Sequence, residues 1–232
     1  MYLILFWAFG RVLKDWGEIQ FSENSYQFSF LFLSLYTDKI SNYSSKLFLF
    51  KLGSEITKKK KMTKWEKLKY KITNAEEAQT VISSWKDNEE TVVFTNGCFD
   101  ILHRGHVTYL AKAASLGDYL VIGLNSDDSV KAQNKGENRP INDETSRSIV
   151  LAALEFVDLI VIFNDTTPLS LIELLKPSIL VKGADYDKNE TDNKSKRYIV
   201  GSKVVIESGG SVETIGLEEG FSTTRLIDKI KG

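Results

Sequence analysis

Thr91-Val92-Val93-Phe94-Thr95-Asn96-Gly97-Cys98-Phe99-Asp100-Ile101-Leu102-His103-Arg104-Gly105-His106 decides the reading of this 232-residue chain. The run from Thr91 to Thr95 is apolar and β-branched, which predicts a buried strand. After His106 the apolar residues Val107, Leu110, Ala111 and Ala114 recur at helical spacing, up to Gly117. Strand, glycine-bearing turn and helix start form the arrangement in which α/β proteins aim backbone N–H groups and the positive helix end at phosphate. His103 and His106, the chain's two histidines, fall three residues apart and so share one face of the first helical turn. Gly105 between them leaves room for a ligand to approach the backbone. The pattern points to an enzyme that handles a nucleotide. Two other uses of the pair stay open at this stage: half of a zinc site completed by Cys98, Asp100 or a distant residue, or a structural contact.

Outward from this stretch, strands and helices alternate. Asn74-Ala75-Glu76-Glu77 reads as a capping box, with Ala78, Val81, Ile82 and Trp85 forming the apolar stripe of the helix behind it. Tyr119 to Leu124 reads as a strand, Asp143 to Leu154 as a helix and Leu159 to Phe163 as a strand. Pro168 opens a further helix, with Leu171, Ile172 and Leu175 behind it. Strands are expected at 179–181, at Val204-Val205-Ile206 and at 212–217, then a closing helix over 224–230 docked through Leu226, Ile227 and Ile230. The polar segment 187–196 predicts a mobile surface loop. Such alternation predicts an α/β fold, a Rossmann-like doubly wound parallel sheet with its site at the carboxyl ends of the strands.

Gly97-Cys98-Phe99-Asp100-Ile101-Leu102-His103-Arg104-Gly105-His106 resembles the His-x-Gly-His signature of the cytidylyltransferase-like nucleotidyltransferases. Within that family it is most similar to the enzymes that make ADP-heptose from D-glycero-β-D-manno-heptose 1-phosphate. Leu124-Asn125-Ser126-Asp127, Lys135-Gly136-Glu137-Asn138-Arg139-Pro140, Val157-Asp158 and Asp165-Thr166-Thr167-Pro168 follow in the family's order. So do Val181-Lys182-Gly183-Ala184-Asp185-Tyr186 and Gly220-Phe221-Ser222-Thr223-Thr224. The match spans residues 91 to about 230, and an ordered set is far more specific than one motif. Ala184 stands where the family more often has glycine, and Arg225 departs from the usual residue.

The resemblance implies transfer of AMP from ATP to the sugar 1-phosphate, with release of pyrophosphate, a step in lipopolysaccharide core precursor synthesis. His103, His106 and Lys135 would be catalytic. Asn96, Gly97, Phe99, Gly105, Asn125, Arg139, Lys182, Gly183, Ser222, Thr223 and Thr224 would bind the nucleotide. Asp185 and Arg147 would bind the sugar phosphate, and Lys131 is a second loop lysine facing the phosphates. Mg²⁺ is expected with ATP, and a separate sugar kinase must supply the acceptor. Asp100 could orient a histidine, cap the helix or help hold the metal. The alternatives are a cytidylyltransferase acting on glycerol 3-phosphate or a related phospho-alcohol, and a non-catalytic nucleotide-binding module. A class I aminoacyl-tRNA synthetase shares the histidine signature but calls for a lysine-rich second motif, where this chain has Ser222-Thr223-Thr224-Arg225.

Composition divides the chain. Residues 1–61 hold nine Lys/Arg against five Asp/Glu and 14 of the 26 aromatic residues; residues 62–232 hold 21 against 26. A net charge of −5 on the second part gives no basic footprint for nucleic acid. The apolar runs of 1–61 fall short of the ~18–20 residues that span a bilayer, so no membrane partner is expected. Lys58 to Lys61 precede Met62, the one methionine besides Met1. We therefore expect natural synthesis to start at Met62, with 1–61 as upstream sequence; a membrane-associating or partner-binding extension is the alternative. A helical lead-in over 62–90 and a nucleotidyltransferase domain over 91–232 complete the division. A single cysteine fits a reducing, cytoplasmic setting. The oligomeric state is left open, a homo-oligomer included.

Overall fold

A computed structural model describes residues 62–133, 139–216, 218 and 220–231. The expectations for 1–61, for Lys135 and for Gly136 lie outside the described residues. In chain order the elements are α1 (Lys64–Tyr70), β1 (Ile72–Thr73), α2 (Ala75–Asp87), β2 (Val92–Gly97), α3 (Arg104–Ala114), β3 (Tyr119–Asn125) and α4 (Asp127–Ala132). They continue as α5 (Glu144–Ala152), β4 (Leu159–Phe163), α6 (Leu169–Leu175), β5 (Ile179–Gly183), α7 (Ser202–Glu207), β6 (Ser211–Ile215) and α8 (Thr223–Lys231). All strand pairs are parallel, in the order β1-β4-β3-β2-β5-β6. The expected doubly wound α/β sheet is therefore present.

The strands read as continuous apolar runs because both faces are covered. Val92 and Phe94 point to the layer of α2, α6 and α7, with Ile82, Ile172 and Val205. Val93 points the other way, to the layer of α3 and α5, with Leu110, Ala113 and Leu151. Side-chain alternation along each strand feeds both cores. The lead-in is more than helix: Ile72 and Thr73 pair with Ile160 and Val161, adding an edge strand. Thr63 closes a full capping box with Glu66 that the sequence reading missed. Asn74 accepts from the Glu77 N–H at 2.8 Å, while the Glu77 carboxylate turns to the Thr73 hydroxyl, so the expected reciprocal half of that box is replaced.

Three expectations are corrected. Val204-Val205-Ile206 is helical, within α7. Parallel neighbours β5 and β6 require a crossover, and that demand overrides the β-branched preference of three residues. Gly201 caps the start of the crossover helix at φ +88°, where an added Cβ would meet Ile172 Cδ1 at 2.6 Å. In α3 the buried residues are Gly105, Tyr109, Leu110 and Ala113, a stripe turned from the expected one. In α8 Ile230 is 79% exposed and does not dock. Residues 187–197 run as turns closed by Asp187 N–H donating to the Arg197 carbonyl.

Candidate active site

Strand order reverses between β2 and β5, since β3 and β4 lie to one side of β2 and β5 and β6 to the other. A crevice outside the carboxyl ends of the strands at such a reversal is where doubly wound sheets bind ligands. Across it the Lys182 ammonium donates to Asn96 Oδ1 at 2.6 Å and lies 5.4 Å from the Tyr186 ring centre. Gly97 and Gly183 end the two strands. Asp185 follows on the exposed turn.

The two histidines stand at the start of α3. His103 is its N-cap, and its Nδ1 accepts from the His106 N–H at 3.4 Å. A ring whose Nδ1 accepts carries its neutral-form proton on Nε2, where it can be donated. The rings stack with centres 3.8 Å apart and planes 16° off parallel. Burial lowers the pKa of His103. Burial, then the facing His103, pushes His106 down to about 4, partly offset by the Ile101 carbonyl. Both rings are therefore neutral near pH 7. His106 Nδ1 is buried without a hydrogen-bond partner, which marks it as a group waiting for one.

The second helix start arrives from far along the chain. Ser222 caps α8, its hydroxyl accepting from the Arg225 N–H at 3.1 Å, as expected. Thr223 and Thr224 follow in the first turn. An added Cβ on Gly105 would lie 3.0 Å from Phe221 Cβ and 3.2 Å from the His103 ring. Phe221, rather than a ligand, therefore takes the room that Gly105 leaves. Arg104 fastens the contact, paired with Glu218 at 2.9 Å and lying 5.4 Å from the Phe221 ring centre. Nothing local in the sequence signals this clasp.

Five expected ligands make contacts within the fold. Arg147 is fully buried and binds four acceptors: the carbonyls of Asn142 at 3.0 Å, Cys98 at 2.7 Å and Asn125 at 2.8 Å, and the Asp127 carboxylate at 2.7 Å. It ties the histidine turn to the end of β3, a structural duty beyond the expected sugar-phosphate contact. Asn125 is buried and donates to Ser129. Phe99, at φ 45°, is buried in the core with its ring edge-on to His106, so it walls the site from beneath. Arg139 pairs with Asp100. Lys131 lies on α4, not in a loop, and pairs with Asp128 at the surface.

Asp100 accepts from Arg139 Nε and from the N–H groups of Ile141 and Asn142 at 2.8 and 2.9 Å. It anchors the returning loop, a role beyond the three expected for it. The described residues gather no group of three His, Cys, Asp or Glu able to hold a metal ion, so none among them completes a zinc site on the histidine pair.

Residues 94–229 match the model of the cytidylyltransferase-like family. The bifunctional protein HldE of Campylobacter jejuni (strain RM1221) is 46% identical over 195 residues, 83% of this chain and 39% of that protein. The protein of the same name from Geobacter metallireducens (strain ATCC 53774 / DSM 7210 / GS-15) is 51% identical over 160 residues, 69% of this chain and 31% of that one. The chain thus spans under two fifths of the length of these relatives. The crystal structure of the lipopolysaccharide core biosynthesis protein from Thermoplasma volcanium GSS1 superposes with TM-score 0.43 at 27% identity, over 56% of this chain and 97% of that one.

Proposed function

The chain belongs to the cytidylyltransferase-like family and is a nucleotidyltransferase, and we propose that it moves AMP from ATP to D-glycero-β-D-manno-heptose 1-phosphate. An oxygen of the sugar phosphate attacks the α-phosphorus in line. The new P–O bond forms as the bond to the β-phosphate oxygen breaks, giving ADP-heptose and pyrophosphate. Such a reaction asks a protein for positioning and charge stabilisation rather than a covalent nucleophile.

One observation carries the reading: two helix starts, one bearing a stacked histidine pair, are held against each other at Gly105 and Phe221. The α3 start with His103 and His106 suits the α-phosphate and the bridging oxygen, and the α8 start with Ser222 and Thr223 suits the outer phosphates. Phosphate beside the rings raises their pKa values by charge proximity and makes them stronger donors as charge develops. Lys182 and Asn96 on the crevice rim, with Asp185 beyond them, suit the nucleotide and the acceptor. Lys135 supplies the further cation in this proposal. The choice of heptose over other acceptors rests on the resemblance and on kinship with HldE. A sugar kinase supplies the phosphorylated acceptor. We place the reaction in the cytoplasm, where ATP is made available; among the described residues no helix is long and apolar enough to cross a membrane.

The test is pyrophosphate release with each nucleoside triphosphate against heptose 1-phosphate and against glycerol 3-phosphate. ATP with heptose 1-phosphate should be the productive pair. His103→Ala and His106→Ala should each lower kcat by about 10²–10³ with circular dichroism unchanged. Turnover of CTP with glycerol 3-phosphate instead would overturn the substrate assignment, and silence with every pair would overturn the activity.

A further inference from the structure

The β2–β5 ladder is short. It pairs Val93 with Ile179 and Phe94 with Leu180, and ends there. On their other sides the same strands stay paired to their tips, Gly97 with Leu124 and Gly183 with Ile215. The two halves of the sheet therefore fork one residue past the last pair, at Thr95 and Val181. Tyr109 reaches up from α3 into that fork. Its hydroxyl lies 2.8 Å from Thr95 Oγ1 and donates to the Val181 carbonyl at 3.2 Å, an acceptor that the ladder no longer serves. Thr95 is wholly buried and Tyr109 nearly so. The next residue on each strand is Asn96 and Lys182, whose side chains meet across the opening.

We propose that Tyr109 is a positioning residue of the nucleotide site, its hydroxyl setting the spread of β2 and β5 and hence the placement of Asn96 and Lys182. This rests on the nucleotidyltransferase reading above. The physical argument is one of alternatives. Without the hydroxyl, Thr95 and the Val181 carbonyl are left buried without that partner, and the strands must close toward each other or admit water. Either change moves the rim that carries Asn96 and Lys182. Burial, together with the nearby Asp185, holds the phenol pKa above its ordinary value, so the donor stays protonated through the working pH range. Tyr109 touches no reacting atom, so its influence falls on binding before chemistry.

Tyr109→Phe keeps the ring packing and removes only the hydroxyl. In the full chain it should raise KM for the triphosphate about fivefold, equivalent to about 1 kcal/mol, and leave kcat within about twofold. The dissociation constant of a non-hydrolysable ATP analogue, measured by calorimetry, should rise by the same factor. Thr95→Val should do the same more weakly, because Tyr109 keeps Val181, and Thr95→Ser should behave as wild type. A lower melting temperature with unchanged KM and analogue affinity would make the hydroxyl merely structural and overturn the proposal. Wild-type analogue binding without turnover on any acceptor would overturn the reaction while leaving the analogue arm to judge Tyr109. Absence of analogue binding by the wild type would overturn both.

Discussion

Replacing Arg147 by alanine should cost the fold far more than it costs any substrate contact. The guanidinium holds three backbone carbonyls and the Asp127 carboxylate, all within 3.0 Å, from a fully buried position. Breaking a buried ion pair by deleting one partner costs about 3–5 kcal/mol. Asp127 is partly exposed and can rehydrate, which lowers the figure, while the stranded carbonyls of Cys98, Asn125 and Asn142 raise it. We expect a loss of about 3–5 kcal/mol, or a melting temperature lower by about 6–20 °C for a domain of this size. Arg147→Lys should recover little, since one ammonium cannot span four acceptors set for a planar fork. Thermal unfolding followed by circular dichroism, with and without sugar 1-phosphate, measures both quantities. A variant melting within about 2 °C of wild type, with KM for the sugar phosphate alone increased, would refute this reasoning and restore Arg147 as a substrate ligand.

Gly105→Ala should keep the fold, because alanine favours the helix by up to about 1 kcal/mol. It should still lower kcat/KM by about 10–100-fold, since its Cβ must push Phe221 or the His103 ring by a few tenths of an ångström; wild-type kinetics would show that the two helix starts need not touch. His106 titrates at about 4 in the folded chain, below the ordinary value. The unfolded chain therefore takes up the proton first, and stability is full above about pH 6.5, falls toward about pH 4, then levels. Urea unfolding near pH 7 and near pH 4.5 should show a smaller difference for His106→Asn than for wild type, and an identical pH slope would exclude the assignment. Thr223→Ala should raise KM for the triphosphate while sparing affinity for the nucleoside monophosphate, as read by calorimetry; equal weakening of both would remove α8 from the outer phosphates.

What the sequence made legible is what repeats or lies together. The double-sided burial of β2 shows as an unbroken apolar run, and the histidine turn follows it within ten residues. Ser222 announced its cap through position alone. What stayed hidden depends on partners distant along the chain. Asp100 reads as a polar residue in a motif until the N–H groups of Ile141 and Asn142 fold onto it. The clasp of Arg147 and the fit of Phe221 to Gly105 are of the same kind, with no period or spacing to betray them. Val204 to Ile206 misled for the opposite reason: local preference was plain, and the topology outweighed it.

The two residues of β1 bear on how the molecule lives among its copies. Without them β4, Leu159-Ile160-Val161-Ile162-Phe163, would present an uncovered edge of five apolar residues, a ready template for strands from other chains. Ile72 and Thr73 occupy part of that edge, the Lys71 carbonyl takes the Ile160 N–H at 2.7 Å, and a strand of two residues is itself too short to recruit another. A segment that supplies no ligand thereby guards against aggregation, and selection for solubility alone would preserve it.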